Sequence, residues 1–264
     1  LVIRDNNGEY VLINGNQIVM IFLNYLMTRN TELGTLTGNE YIVKTIVTTE
    51  TIRTIAEAQH IKMYDCFTGF KWIANVMREN EGKARYLGGG EESYGVRDKA
   101  SVSAISLMAE IAAWAKDKGL NMTDMLIDIY MKYGFSREKG ISLVRKGKSG
   151  AEEIIALMKQ FRENPPKEIA GSPVVTVKDF QSLVETNVAT GETKKLDMPA
   201  TSNVLQYYTA DRTKVSVRPS GTEPKIKFYI EVHDTLASAD EYKATEARAD
   251  EKINRIAKEF GITK

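Results

Sequence analysis

Apolar and polar positions along the chain change their period several times, and each change marks an element. Ile18, Ile21, Phe22, Tyr25 and Leu26 stand at offsets of 0, 3, 4, 7 and 8, a helical stripe that Val19, Met20 and Leu23 widen and that Asn14-Gly15 introduces. Before it, "LVIRDNNGEYVLING" reads as two short strands about an Asn6-Asn7-Gly8 turn. "YIVKTIVTT" (41–49) is a β-branched run with little alternation, the pattern of a strand covered on both faces. "TETIRTIAEAQH" follows as a helix, and then "MYDCFTGFKWIANVMREN", where Thr68 is placed to cap a helix carrying Ile73, Ala74 and Met77. "ARYLGGGEESYG" reads as a short strand entering a glycine-rich loop. Helices are expected from about Val102 to Lys118 and from Thr123 to Tyr133, the second ending at Gly134. Strand and helix alternate, so residues 1–134 predict an α/β domain with a largely parallel sheet.

The pattern differs after Gly134. Ser149 and Glu152 have capping-box spacing ahead of a helical face of Ile154, Leu157, Met158 and Phe161, which Pro165-Pro166 ends. From Pro173 to Val232 the chain reads as strands joined by Thr-Gly, Pro and Asp turns, without intervening helices. The last of these puts Ile226, Phe228, Ile230 and Val232 on one face and Lys225, Lys227, Tyr229 and Glu231 on the other. A charged terminal helix carries Tyr242, Ala249, Ile253, Ile256 and Phe260 on one stripe. Residues 135–264 therefore predict an α+β domain, with helices on one face of an antiparallel sheet.

Composition narrows the function classes. With 264 residues, 42% of them hydrophobic and 27% charged, the chain is long enough for two domains with cores of their own. Lys and Arg number 36 against 35 Asp and Glu, so no bulk positive field recommends nucleic acid, and an anion site must be local. Cys66 stands alone and His60 and His233 are far apart, which argues against an internal disulfide and a zinc site. Cys66 reads as a small buried hydrophobe, His60 as a helix-end residue and His233 as a strand-end residue. No apolar run approaches the ~18 residues that cross a bilayer and no signal-peptide pattern opens the chain, so a cytoplasmic setting without membrane contact is expected. Leu1 opens inside an apolar strand, from which a fragment of a longer protein is expected.

Three stretches carry candidate chemistry. In "RPSGTEP" (218–224) the Arg218 guanidinium suits two phosphate oxygens, Ser220 and Thr222 offer hydroxyls, and Gly221 lets backbone N–H groups turn toward one anion. A plain hairpin turn with Ser-Gly at its tip fits the same letters. "GGGEESYG" (88–95) puts Glu91 and Ser93 on one side of an extended chain and Glu92 on the other, a pairing that suits vicinal sugar hydroxyls or, equally, a solvated acidic loop. "TGFK" (68–71) and "VRDKA" (96–100) add a helix N-terminus, Arg97 and Lys99, suited to an anionic substrate or to an ordinary surface.

In this order, TGFKWI, GGEESYG, VRDK and RPSGTEPKIKFY resemble the α-D-phosphohexomutases, the family of phosphoglucomutase and phosphomannomutase. The resemblance runs along nearly the whole chain and implies the third, sugar-recognition domain and the fourth, phosphate-binding domain of a four-domain enzyme. It implies Glu91 and Ser93 as sugar ligands, with Thr68, Gly69 and Lys99 as secondary ones, and Arg218, Ser220, Gly221 and Thr222 as the clamp on the non-transferred phosphate. The family reaction interconverts hexose 1-phosphate and hexose 6-phosphate through a bisphosphate, with a phosphoserine, Mg²⁺ and a sugar-bisphosphate activator. Neither histidine follows a serine and no two aspartates stand at i and i+2, so the phosphoserine and metal loops are missing, and inactivity of this chain alone is expected. The implied partners are a hexose phosphate and the N-terminal domains of the same protein. Gly95 meets Val96 directly where members with a GEESYG loop carry several more residues, which leaves the placement of Arg97 and Lys99 open. A phosphopentomutase or sugar-bisphosphate synthase of the superfamily, and a non-catalytic sugar-phosphate-binding module, are the alternatives.

Overall fold

The chain opens with a β-hairpin, β1 (Val2–Arg4) against β2 (Tyr10–Leu12), antiparallel with Ile3 opposite Val11. Its turn is held by Asp5, whose Oδ1 accepts the N–H groups of Asn7 and Glu9 at 2.9 Å each. The structure, a computed structural model, describes residues 1–5, 7–92, 100–145, 147–221 and 223–263. Two compact units emerge, Leu1–Phe135 with Thr235–Tyr242, and Ser136–Asp234 with Lys243–Lys264. No helix among the described residues is long and apolar enough to cross a membrane.

In the first unit, α1 (Gly15–Glu32) starts from a capping box. The Asn14 side chain accepts the Gln17 N–H and the Gln17 side chain accepts the Asn14 N–H, both at 2.9 Å. Of the expected stripe Ile21 and Tyr25 are buried while Ile18, Phe22 and Leu26 are half-buried, and Val19, Met20, Leu23 and Met27 are buried as well, because the helix is covered on more than one side. Then come β3 (Glu40–Thr45), α2 (Thr51–Ala58), β4 (Lys62–Cys66), α3 (Phe70–Glu79) and β5 (Arg85–Gly90), followed by α4 (Ala100–Asp117) and α5 (Met122–Tyr133). The three strands form a parallel sheet in the order β4-β3-β5, and every residue of the central β3 is buried. Tyr41, Val43, Cys66, Ile73 and Val76 make one core cluster, with Tyr64, Trp72 and Tyr86 packed against it.

Three local expectations are corrected here. Gly69, at φ 108, occupies the N-cap of α3 and no side chain caps that helix, so Thr68 is not its cap. Ile73 and Val76 form the buried line of α3, leaving Met77 39% exposed. The glycines before Glu91 belong to β5 and have a packing reason. A Cβ on Gly89 would stand 2.5 Å from the Val43 carbonyl oxygen, and one on Gly90 would stand 2.5 Å from a Val19 methyl.

The second unit is built on an antiparallel sheet flanked by helices. In chain order its elements are β6 (Phe135–Val144), α6 (Gly147–Glu163), β7 (Glu168–Ile169), β8 (Ser172–Asp179), β9 (Val184–Asn187), β10 (Thr193–Lys195), β11 (Leu205–Thr209), β12 (Lys214–Pro219), β13 (Lys225–Asp234) and α7 (Tyr242–Glu259). Strand order is β10-β9-β8-β11-β12-β13-β6, with β7 beside β8. Val215, Val217, Ile226, Phe228, Ile230 and Val232 are all buried, and Phe228, Phe161 and Phe260 meet with ring centroids 5.7–5.9 Å apart. α6 begins at Gly147, so Ser149 and Glu152 lie inside it and form no cap. β6 was not foreseen, because "FSREKGISLV" is mostly polar. Its Arg137 bonds Glu246 and Asp250 of α7 at 2.9–3.0 Å.

Candidate functional site

The carboxyl ends of β3, β4 and β5 bring several loops of the first unit together, the edge at which open parallel sheets bind ligands. Glu91 leaves β5 and its Oε2 accepts the Gly69 N–H at 2.9 Å, so the loop after β5 meets the start of α3. Glu91 and Gly69, expected separately from sequence, thus stand together, with the half-buried Thr68 adjoining Gly69 in the chain. The neighbouring Glu92 points elsewhere. Its Oε2 accepts the Thr45 hydroxyl at 3.1 Å and the Thr48 hydroxyl at 3.5 Å. Ser93, Arg97 and Lys99 lie outside the described residues.

Beneath this edge is an ionic cluster that sequence reasoning missed. Lys44, fully buried, sits 2.9 Å from both Glu50 Oε1 and Asp65 Oδ1, and Arg53 bridges the same two carboxylates. The signal was available, since a lysine inside a strand covered on both faces must find acidic partners. Burial, with the Asp65 carboxylate nearby, pushes the Cys66 thiol up to about 12, which leaves it protonated at neutral pH.

In the second unit, Arg218 is the last-but-one residue of β12 and stands opposite Lys227 of β13, so the cation belongs to the strand and not to the turn. The turn beyond is tied by Ser220 N–H to the Lys225 carbonyl at 2.8 Å, and Ser220 Oγ accepts the Glu223 N–H at 3.3 Å. Gly221 is exposed, and a Cβ there would meet nothing within 4 Å, so no packing neighbour in the described structure accounts for the glycine. Thr222 lies outside the described residues. Like charges directly opposite each other disfavour a sheet pair, yet neither Arg218 nor Lys227 bonds an acidic side chain among the described residues. Glu223 is held below the usual carboxylate range, first by its bond from Lys225 and further by the charges of Lys225 and Lys227. Lys227 is the cation that sequence reasoning did not single out, although the hairpin register fixes it opposite Arg218.

Residues 14–133 match the family model described as phosphoglucomutase/phosphomannomutase, alpha/beta/alpha domain III, and residues 157–249 match the C-terminal domain of the same family. The chain belongs to the phosphoglucomutase/phosphomannomutase family. Phosphoglucomutases of Staphylococcus epidermidis and Staphylococcus haemolyticus are 33% and 30% identical over 236 residues, covering 87% of this chain and 42% of each relative. The chain therefore spans less than half the length of these relatives. Among solved structures, the open form of the Paramecium phosphoglucomutase pp63/parafusin matches 95% of this chain and 43% of its own at a TM-score of 0.54 and 14% identity. A phosphoglucomutase/phosphomannomutase family protein of Burkholderia thailandensis matches 98% of this chain and 44% of its own, with a TM-score of 0.51 and 17% identity. At those identities the likeness is one of fold. Within the family frame, the carboxyl edge of the parallel sheet lies in domain III and the turn after β12 in the C-terminal domain. Among the described residues no three of His, Cys, Asp and Glu converge as metal ligands, and Lys44 and Arg53 already neutralise Glu50 and Asp65. The described residues do not fit Mg²⁺.

Proposed function

We propose that this chain is the substrate-recognising part of a phosphohexomutase, a protein that interconverts hexose 1-phosphate and hexose 6-phosphate through a bisphosphate. Residues 1–134 would recognise the sugar and residues 135–264 the non-transferred phosphate. One observation carries the reading: two facing cations, Arg218 and Lys227, stand at the foot of an open turn in which a Cβ on Gly221 would meet nothing within 4 Å. A dianionic phosphate would relieve the repulsion between them, taking the Arg218 fork and the Ser220 hydroxyl, with Gly221 and Thr222 completing the loop. Glu91 is the sugar-hydroxyl acceptor, with Gly69 bonded to it and Thr68 next in the chain; Ser93 and Lys99, outside the described residues, are proposed as further sugar ligands. None of these is a nucleophile. They hold and orient a substrate whose phosphoryl transfer occurs elsewhere in the whole protein, and positioning of this kind supplies much of such catalysis.

Calorimetric titration of the chain with glucose 1-phosphate, mannose 1-phosphate, ribose 1-phosphate and inorganic phosphate tests the reading. Hexose phosphates are expected to bind at least several-fold more tightly than inorganic phosphate, and Arg218→Lys to weaken all of them about 10-fold. Tighter binding of the pentose phosphate would move the assignment to a phosphopentomutase. No binding of any phosphate would overturn it.

A further inference from the structure

Two adjacent carboxylates, Glu91 and Glu92, tie together all three loops at the carboxyl edge of the parallel sheet. Glu91 takes the Gly69 N–H of the loop after β4 at 2.9 Å, while Glu92 takes the Thr45 and Thr48 hydroxyls at the end of β3. The two threonines are fully buried and bond each other at 2.8 Å, so one hydroxyl donates to the other and their remaining proton goes to Glu92, for which Thr45 at 3.1 Å is the nearer donor. The main chain is pinned as well. A Cβ on Gly15, the first residue of α1, would lie 2.3 Å from the Glu92 carbonyl oxygen, so that carbonyl rests on the helix start at a distance only glycine permits. Asn16, next in the helix, accepts the Thr49 N–H at 3.0 Å, which fixes the helix start to the same β3–α2 loop.

We infer that Glu92 is a positioning residue: held by Thr45 and Thr48 and seated on Gly15, it fixes the chain so that Glu91 stands against Gly69. The sugar-ligand role of Glu91 rests on the function proposed above, whereas the positioning itself does not. Glu91 and Glu92 are adjacent in the chain, so anchoring the side chain and carbonyl of Glu92 limits where the Glu91 backbone can stand. The preorganisation matters because an acceptor that must first be ordered binds its ligand more weakly.

The test uses the 264-residue chain with Thr45→Val/Thr48→Val, which keeps shape and removes both donors, and Thr45→Ser/Thr48→Ser, which restores them. Amide hydrogen exchange at Gly69 reads the Glu91 bond without any ligand, and exchange at Val43 in the central strand reads overall stability. Gly69 exchange is expected to quicken about 10-fold in the valine variant while Val43 holds, and to return in the serine variant. Glucose 1-phosphate affinity should fall about 5-fold with inorganic phosphate unchanged. Gly15→Ala, which displaces the Glu92 carbonyl by a separate route, should quicken Gly69 exchange too. Unchanged Gly69 exchange in both the valine and Gly15→Ala variants overturns the inference, as does quickening of Gly69 and Val43 together. If the parent fails to distinguish glucose 1-phosphate from inorganic phosphate, the sugar assignment falls, and Gly69 exchange still decides the positioning.

Discussion

Alanine at Gly88, Gly89 and Gly90 gives opposite results for a packed strand and for a loop. In a loop, Gly→Ala at a tolerant position stabilises by about 0.4–1 kcal/mol because the unfolded chain loses freedom. In β5 the three sites differ by what their Cβ would strike. At Gly89 it meets the Val43 carbonyl oxygen at 2.5 Å and the Tyr86 hydroxyl at 2.7 Å. The tyrosine can swing away, but the carbonyl is backbone of the fully buried central strand and has nowhere to go. Overpacking of this kind costs about 1–3 kcal/mol, which outweighs the chain-entropy gain and leaves Gly89→Ala destabilised by about 1–2 kcal/mol. At Gly90 the obstacle is a methyl of Val19 at 2.5 Å, a stiff side chain on a helix, so a smaller loss is expected. At Gly88 the neighbours are the far ends of Leu26, Leu23 and Phe22 at 2.9–3.1 Å, which can turn, and the change should be near neutral. The chain's two tryptophans, Trp72 and Trp114, both belong to the first unit, so urea unfolding followed by tryptophan fluorescence isolates the relevant transition. The expected order of midpoints is Gly88→Ala, then Gly90→Ala, then Gly89→Ala lowest. Three midpoints at or above the parent's would refute the packing argument and restore a loop.

Other consequences are directly measurable. Lys44→Met should destabilise the first unit by about 3 kcal/mol, the lower end for a broken buried pair because Glu50 and Asp65 are partly solvated and keep Arg53; fluorescence-detected unfolding reads it. Lys227→Met should weaken inorganic phosphate binding while leaving the fold intact, since it removes one of two facing cations; unchanged calorimetric affinity would assign the pair to the sheet alone. Burial alone would raise the carboxyl of Glu40, but bonds from the Thr37 backbone and hydroxyl, Arg85 and the Gly38 N–H prevail and hold it down to about 2. Because that folded value lies below the ordinary 4.5, its stabilisation is present above about pH 4.5 and is lost as pH falls toward 2. Glu40→Gln should therefore flatten the acid limb of the fluorescence-detected stability profile.

The alternation of elements was legible because hydrophobic period follows the secondary structure it builds. β3, with every residue buried, and the Phe228 face of β13 were both readable in this way. What escaped was set by tertiary neighbours. "FSREKGISLV" is polar yet becomes β6, since an edge strand can hold charges that reach a helix, as Arg137 does. The Gly88–Gly90 run carries the letters of a flexible loop, and only the approach of Val43 and Val19 shows why side chains are excluded. In the candidate site, Glu91, Gly69 and Arg218 were visible as motif letters. Lys227 and the Thr45–Thr48–Glu92 tie needed register and long-range contact to be seen.

Cys66 turns the first unit into its own clock. It is the chain's one thiol, it is buried, and its raised pKa leaves almost no thiolate at neutral pH, so an alkylating reagent can react only after β4 has parted from its neighbours. Labelling would then follow a single chemical event at a known depth, and its rate in dilute reagent would count openings of the parallel sheet too rare for an equilibrium probe to register. A ligand that braces the strand ends should slow that count in proportion to its occupancy, which allows binding to be timed without a dye, a tag or a turnover assay.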